Sequence, residues 1–420
     1  MAPYLFIIWF ITGCFFIPRI KFIKEAGLGQ KTILFLFVLK IAAGCTLGLV
    51  NHFLLQHSTD YDSYNDLGIV EYHMLFSDPS RFFTDIFTSN YAGYGDYFGS
   101  SGSYWNDLRG NILLKVLGIM NIFSRGNYYI NSLYFNFICF FGHVALYRVF
   151  ITVYPKQKLP VIAGCFLIPS LLYFSSGIHK DLIIFTAVCI FCYCLFFLLA
   201  RGISGKKIFF LIASFLTILL IRNFIAVILL PCALAWFISS RYTIRRVKVF
   251  GTAAVVLALL AGALHYSTPQ YDPLKVIVAK QQAFFGLGKA ATDYHNDTLT
   301  PGIKSFVLAA PVAIRHAYLS PYPGEFHTRF IHFFSAEMIL CWGLFILMLV
   351  FPVHHSATSR DFIIFGLAFS FVVLLFTGYI TPAAGALIRY RSLYLPFIMT
   401  PILACINWRK IFKEWKVIIL

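Results

Sequence analysis

Charge is scarce in this sequence. Only 12% of its 420 residues are Asp, Glu, Lys or Arg, about half the roughly 25% of an ordinary soluble domain. Hydrophobic residues reach 59% and mean hydropathy is +0.77, values that exclude a water-soluble globular domain. Strand-like alternation is also absent, which excludes a membrane barrel and leaves helices to satisfy the backbone in lipid. There is no internal repeat and no low-complexity linker, so the chain reads as one integral membrane domain, 1–420, without the paired halves of many transporters. All ten cysteines lie in apolar segments and none in the long polar ones, which argues against a disulfide framework or a metal knuckle.

What is present is a series of long apolar runs. A hydrocarbon core about 30 Å thick needs roughly 20 such residues per helix. The fold expected is therefore all-α, a polytopic transmembrane helical bundle of about eleven spans. These lie near 3–17, 32–55, 128–153, 160–178, 182–200, 207–221, 223–238, 249–267, 331–352, 361–380 and 392–407. The first run lacks a basic leading region and a small-x-small cleavage site before Pro18, so it reads as an anchor.

The 34 Lys and Arg against 17 Asp and Glu sort by loop. Arg19, Lys21, Lys24 and Lys31 fill the first short loop; Lys156 and Lys158, Arg201, Lys206 and Lys207, and Arg241, Arg245, Arg246 and Lys248 fill later ones. Arg409, Lys410, Lys413 and Lys416 fill the tail. They alternate in step with the spans, which by the positive-inside rule makes them cytoplasmic and puts the N-terminus outside. The basic excess is thus a topology signal and a contact for anionic lipid, and nucleic acid is not expected as a partner.

Two long outer loops remain, 56–127 and 268–330. The first carries Asp60, Asp62, Asp66, Glu71, Asp78, Asp85, Asp96 and Asp107. Its segment 111–123, apolar but with Lys115 inside, fits a helix lying along the interface. The tract from Tyr91 to Trp105 is rich in glycine and aromatics, and its rings suit either sugar stacking or an interfacial belt.

Asp60-Tyr61-Asp62-Ser63-Tyr64-Asn65-Asp66 is the densest acidic cluster, and charges held beside a bilayer core tend to be working groups. Ser175-Ser176-Gly177-Ile178-His179-Lys180-Asp181 and Arg222-Asn223 fall on the same expected side, as does Ala384-Gly385-Ala386-Leu387-Ile388-Arg389-Tyr390-Arg391. Cations beside carboxylates at the bilayer edge are well suited to holding a lipid-linked phosphate while a carboxylate takes a proton from an acceptor hydroxyl. Asp60 and Asp62 are the candidate catalytic groups. Asp66, His179, Lys180, Arg222, Arg389 and Arg391 are the candidate substrate-binding groups. Arginine suits phosphate because its planar fork grips two oxygens.

A metal is not expected. Asp60, Asp62, Asp66 and Glu71 match positions one, three, seven and twelve of an EF-hand spacing, but Asn65 stands at the turn glycine and Tyr64 at a ligand position. A divalent cation held by the aspartates in another geometry is the alternative. His52, His57, His73, His265, His295, His354 and His355 have no ligand spacing, and Asn296-Asp297-Thr298 forms a glycosylation sequon.

The apolar spans, the aspartate pair in the first large outer loop, Pro169-Ser170 followed by Ser176-Gly177 and Lys180-Asp181, and the late Arg389-Tyr390-Arg391 together resemble the C-type membrane glycosyltransferases. They also resemble uncharacterised bacterial envelope-polysaccharide membrane proteins. The resemblance implies inverting transfer of a sugar from a polyprenyl-phosphate donor to a glycan, lipid or protein acceptor at the outer face of a bacterial inner membrane. Asp60 or Asp62 would be the base and the basic residues would bind the phosphate. The chain departs from that pattern in placing an extra span before the acidic loop. An O-antigen or exopolysaccharide polymerase or ligase acting on undecaprenyl-diphosphate glycans is the alternative, and a lipid-linked sugar transporter a third.

Overall fold

The computed structural model describes residues 2–53, 60–90, 102–242, 246–267, 272–288, 292–294, 296–353 and 360–411. Of Asp60, only the backbone is included. The fold is helical, and among the described residues no strand forms beyond two isolated bridges, Asp293 with Ala383 and Pro352 with Ile406.

Seven described helices are long and apolar enough to cross a membrane: Gln30–Phe53, Tyr128–Val153, Lys180–Arg201, Asn223–Arg241, Arg246–Ser267, Phe330–Val350 and Arg360–Ile380. The apolar segments Pro3–Arg19 and Leu395–Cys405 are shorter, and Gly205–Ile221 has 17 residues. The expected span 160–178 is not one helix. It breaks into Lys158–Phe166 and Pro169–Phe174, because Pro169 has no N–H to donate and disfavours helical geometry in the residue before it. The expected span 392–407 is likewise shortened, to Leu395–Cys405 behind a separate Ala384–Ser392 helix.

The expected long polar loop is helical as well. Its acidic cluster opens the 18-residue Asp60–Ser77 helix, and the segment expected at 111–123 extends to Tyr104–Ser124, started by a Ser103 side chain that accepts from the Asn106 N–H. The two helices pack closely because glycines thin them at the crossing. A Cβ on Gly68 would lie 2.8 Å from Leu117, and one on Gly118 would lie 3.0 Å from Glu71. Lys115, expected at an interface, is buried against Glu71 at 2.6 Å and under the Phe82 ring. Most of the Tyr91–Trp105 tract lies outside the described residues, as do His57, His295, His354, His355, Asp96, Arg245, Lys413 and Lys416.

By internal contacts the chain divides into two compact units. The first comprises Met1–Arg148, Leu172–Leu198 and Ile203–Asn223; the second comprises Val149–Leu171, Leu199–Gly202 and Phe224–Leu420. In the first, Phe37 meets Phe137 and Phe140 edge-on, and a Cβ on Gly142 would come within 2.7 Å of the Thr186 Cα. In the second, Trp236 stacks on Phe365 at 4.7 Å, and Phe362, Phe369 and Phe397 extend that aromatic core. The Arg246–Ser267 helix of this unit buries none of its residues, and its exposed Val255, Leu259 and Leu260 suit contact with lipid.

Candidate functional site

In the first unit, connectivity places the start of Tyr128–Val153, the start of Lys180–Arg201 and the end of Gly205–Ile221 at one end of the helices, and the acidic helix begins there too. Basic Arg201, Lys206 and Lys207 mark the opposite end of the last two. At the acidic end, the Tyr61 ring lies 5.0 Å from the His179 ring and the Tyr64 ring 5.9 Å from it. The Lys180 ammonium sits 5.0 Å over Tyr64. A Cβ on Gly177 would come within 2.7 Å of Tyr61, so the missing side chain is what lets the acidic helix approach this turn. Asp62 is half-buried and close enough to the Tyr128 and Tyr129 hydroxyls to interact with them electrostatically.

Asp62, His179, Lys180 and Arg222 therefore share one locality in the first unit, and Asp66 is exposed one helical turn beyond Asp62. Arg222 is not an open cation. Its Nη2 pairs with Oδ1 of Asp181, a residue fully buried at the start of Lys180–Arg201. The His179 Nδ1 stands 2.9 Å from Asp181 Oδ2 and 3.1 Å from the Asp181 N–H. It accepts from the amide when unprotonated and donates to the carboxylate when protonated. Asp181 is thus the hub of this cluster, and its first-turn position beside a lysine at a span edge was the sequence signal for it.

Behind the turn lies a second group that sequence reading missed. Lys40, near the middle of Gln30–Phe53, is buried, and its Nζ donates to Ser175 O at 2.7 Å, Ser175 Oγ at 2.8 Å and Ser176 Oγ at 3.2 Å. Ser176 O also accepts from Ser132 Oγ at 2.9 Å and Asn136 Nδ2 at 2.8 Å. A lysine inside an apolar run is costly enough to have been noticed in the sequence.

Arg389 and Arg391 belong to the second unit. Arg389 lies 5.4 Å from the Tyr390 ring. Arg391 is 2% exposed, and its Nη1 donates to the carbonyls of Ala317 and Ser320. Its Nε and Nη2 meet no acceptor among the described residues. Burial pushes this guanidinium below its ordinary range, and Glu337 nearby opposes that. Glu337 accepts from the Ser170 N–H at 3.0 Å and hydroxyl at 2.9 Å with one oxygen, and its other oxygen has no donor among the described residues.

Close to Arg391, Tyr294 stacks on His316 at 3.9 Å and hydrogen-bonds Ser320, whose hydroxyl donates to Glu325. Burial raises the Tyr294 phenol to about 12. Burial, helped by Arg315, pushes His316 down to about 4, so the imidazole is neutral and accepts from Arg315 Nη2 at 3.0 Å. Among the described residues no group of three His, Cys, Asp or Glu side chains is arranged to hold a metal ion. No protein-family model, curated protein or solved structure matches this chain.

Proposed function

We propose that the chain is a membrane glycosyltransferase that moves a sugar from a polyprenyl-phosphate donor to an acceptor hydroxyl at the non-cytoplasmic face. In this reading it crosses the bilayer about eleven times with its N-terminus outside and its C-terminus cytoplasmic, most simply in a bacterial inner membrane, and the Tyr104–Ser124 helix lies along the outer interface. Asp62 or Asp60 takes the proton of the acceptor hydroxyl. The acceptor oxygen attacks the anomeric carbon from the face opposite the phosphate. The bond from that carbon to the phosphate oxygen breaks with inversion, and the polyprenyl phosphate leaves with the electron pair. Lys180 offsets its charge, His179 and Asp66 contact the sugars, and Asp181 fixes Arg222 beside them. No metal is required, a divalent cation held by the aspartates being the alternative.

The observation that carries this reading is the packing of the acidic helix start against His179 and Lys180 at the end of the first unit remote from Arg201, Lys206 and Lys207.

The test is transfer by purified protein in lipid nanodiscs, with mass analysis of lipid-linked glycans in a deletion strain. Asp62→Asn or Asp60→Asn is expected to lower transfer by about 10²–10⁴, the range for loss of a general base, while donor lipid still binds. Full activity in both variants overturns the assignment of the base. A deletion strain that loses chain length rather than a single sugar moves the assignment to a polymerase or ligase.

A further inference from the structure

We propose that Lys40 is a positioning residue for this site, a buried ammonium that latches the Ser175–Gly177 turn and through it sets where His179, Lys180 and Asp181 stand. The inference rests on the transferase reading for its kinetic consequence but not for its geometry. Lys40 comes from a membrane-spanning helix, and the three oxygens that accept from its Nζ are all neutral: the Ser175 carbonyl and the hydroxyls of Ser175 and Ser176. An ammonium has three donor hydrogens, so this turn matches its full capacity.

The turn is gripped from a second helix as well. Ser132 and Asn136 of Tyr128–Val153 both donate to Ser176 O. His143 of the same helix stands 3.4 Å from Ser175 Oγ. On the helix that carries Lys40, Gly44 one turn further on leaves no room: a Cβ there would fall 2.5 Å from Ser176 O and 2.7 Å from Ser132 Oγ. Each of these hydrogen bonds ends on Ser175 or Ser176. The next residues in the chain are Gly177, against Tyr61, then His179 and Lys180, which meet Tyr61 and Tyr64 of the acidic helix.

A charge placed in an apolar helix solely to fill space would be better replaced by leucine or methionine, since burying it is expensive. What offsets that cost here is the set of hydrogen bonds it makes to the turn. Ser175 directly follows the Pro169–Phe174 helix, so its carbonyl belongs to a helix end that favours a cation. The latch therefore fixes the exit angle of the chain just before the candidate site.

The test uses the full-length protein in lipid nanodiscs, native and Lys40→Met, which keeps most of the length of the side chain and removes its charge. The first readout is labelling of Lys180 by a membrane-impermeant amine reagent, quantified by mass spectrometry. With the latch gone, the Lys180 labelling rate is expected to rise about tenfold, the change corresponding to loss of charge-assisted hydrogen bonds. The second readout is kinetic: donor KM rises more than kcat falls, because donor contacts are misplaced while the base is intact. Unchanged Lys180 labelling in a folded Lys40→Met protein overturns the proposal, whatever happens to its melting temperature.

The two readings fail separately. If the native protein transfers no sugar, the labelling comparison still decides the latch. If the native protein is active and Lys40→Met has native KM and labelling, the latch falls and the transferase reading stands. Should Lys40→Met not fold, Ser176→Ala, which removes one acceptor, takes its place with a smaller rise in Lys180 labelling expected and an unchanged rate overturning the proposal.

Discussion

At the scale of single residues, the charged groups divide into those paired with an opposite charge and those held by neutral oxygens. Arg222 belongs to the first kind. Arg222→Ala leaves Asp181 buried without its guanidinium, and breaking a buried pair from one side costs about 3–5 kcal/mol. A large fall in the thermal midpoint in nanodiscs is expected, so lost activity in that variant does not separate a transferase from a polymerase. Arg391 belongs to the second kind. It donates from a buried position to the carbonyls of Ala317 and Ser320, so Arg391→Lys keeps the charge but loses the planar fork that makes these contacts. A lower thermal midpoint in nanodiscs is expected, and a melting curve of both proteins measures this.

His316 supplies a pH dependence whose sign follows from its environment. Its pKa in the folded protein is about 4, below its ordinary 6.5, because burial and Arg315 disfavour the imidazolium while Glu325 favours it. As pH falls through about 6.5 the unfolded chain takes up a proton first, so stability is full above that pH and declines toward pH 4. Melting temperatures of native protein and His316→Phe between pH 4 and 8 check this: the native curve falls on the acid side more steeply than that of the variant.

At the scale of elements, close helix crossings set the tolerances. A side chain on Gly142 would enter the space of Thr186, with its Cβ 2.7 Å from the Thr186 backbone. Gly142→Leu is expected to destabilise the first unit by about 1–3 kcal/mol or more, the usual cost of overpacking, measured by chemical unfolding in detergent. The polar hairpin formed by Asp60–Ser77 and Tyr104–Ser124 was hidden for a related reason. Its stabilising partners are far apart in sequence: Glu71 with Lys115, and Asn65 with Asn131. Local hydropathy registers only that the stretch is polar. The seven long spans were legible because length and apolarity are local properties. The break before Pro169 was signalled by the proline itself, but the apolar residues on either side masked it.

At the scale of the whole molecule, composition alone pointed to a helical membrane protein, which the seven long apolar helices agree with, and the alternation of basic loops is the basis of the proposed orientation. Sidedness is measurable. With the ten native cysteines replaced, a cysteine at Asn223 is expected to react with an impermeant thiol reagent from outside and one at Ser204 only after permeabilisation; the reverse result would invert the proposed topology. The site itself was only partly legible. The motifs holding Asp62, His179, Lys180, Asp181 and Arg222 stood out as charges at span edges, and Lys40 was visible as a charge inside an apolar run, but which oxygens Lys40 and Asp181 engage, and that Glu337 meets Ser170, follows only from the partners folding brings to them.

The broken segment 158–174 carries a consequence for biogenesis. Its two helices have nine and six residues, and at about 1.5 Å per residue neither traverses the hydrocarbon. The second begins with Pro169 and Ser170, and the Ser170 amide and hydroxyl both donate to Glu337, a residue synthesised long afterwards. A nascent chain emerging from the ribosome must therefore keep that amide satisfied by water or an insertion factor until the span bearing Glu337 arrives. Assembly of the second unit is accordingly completed late, and a truncation upstream of residue 337 should leave the segment protease-sensitive.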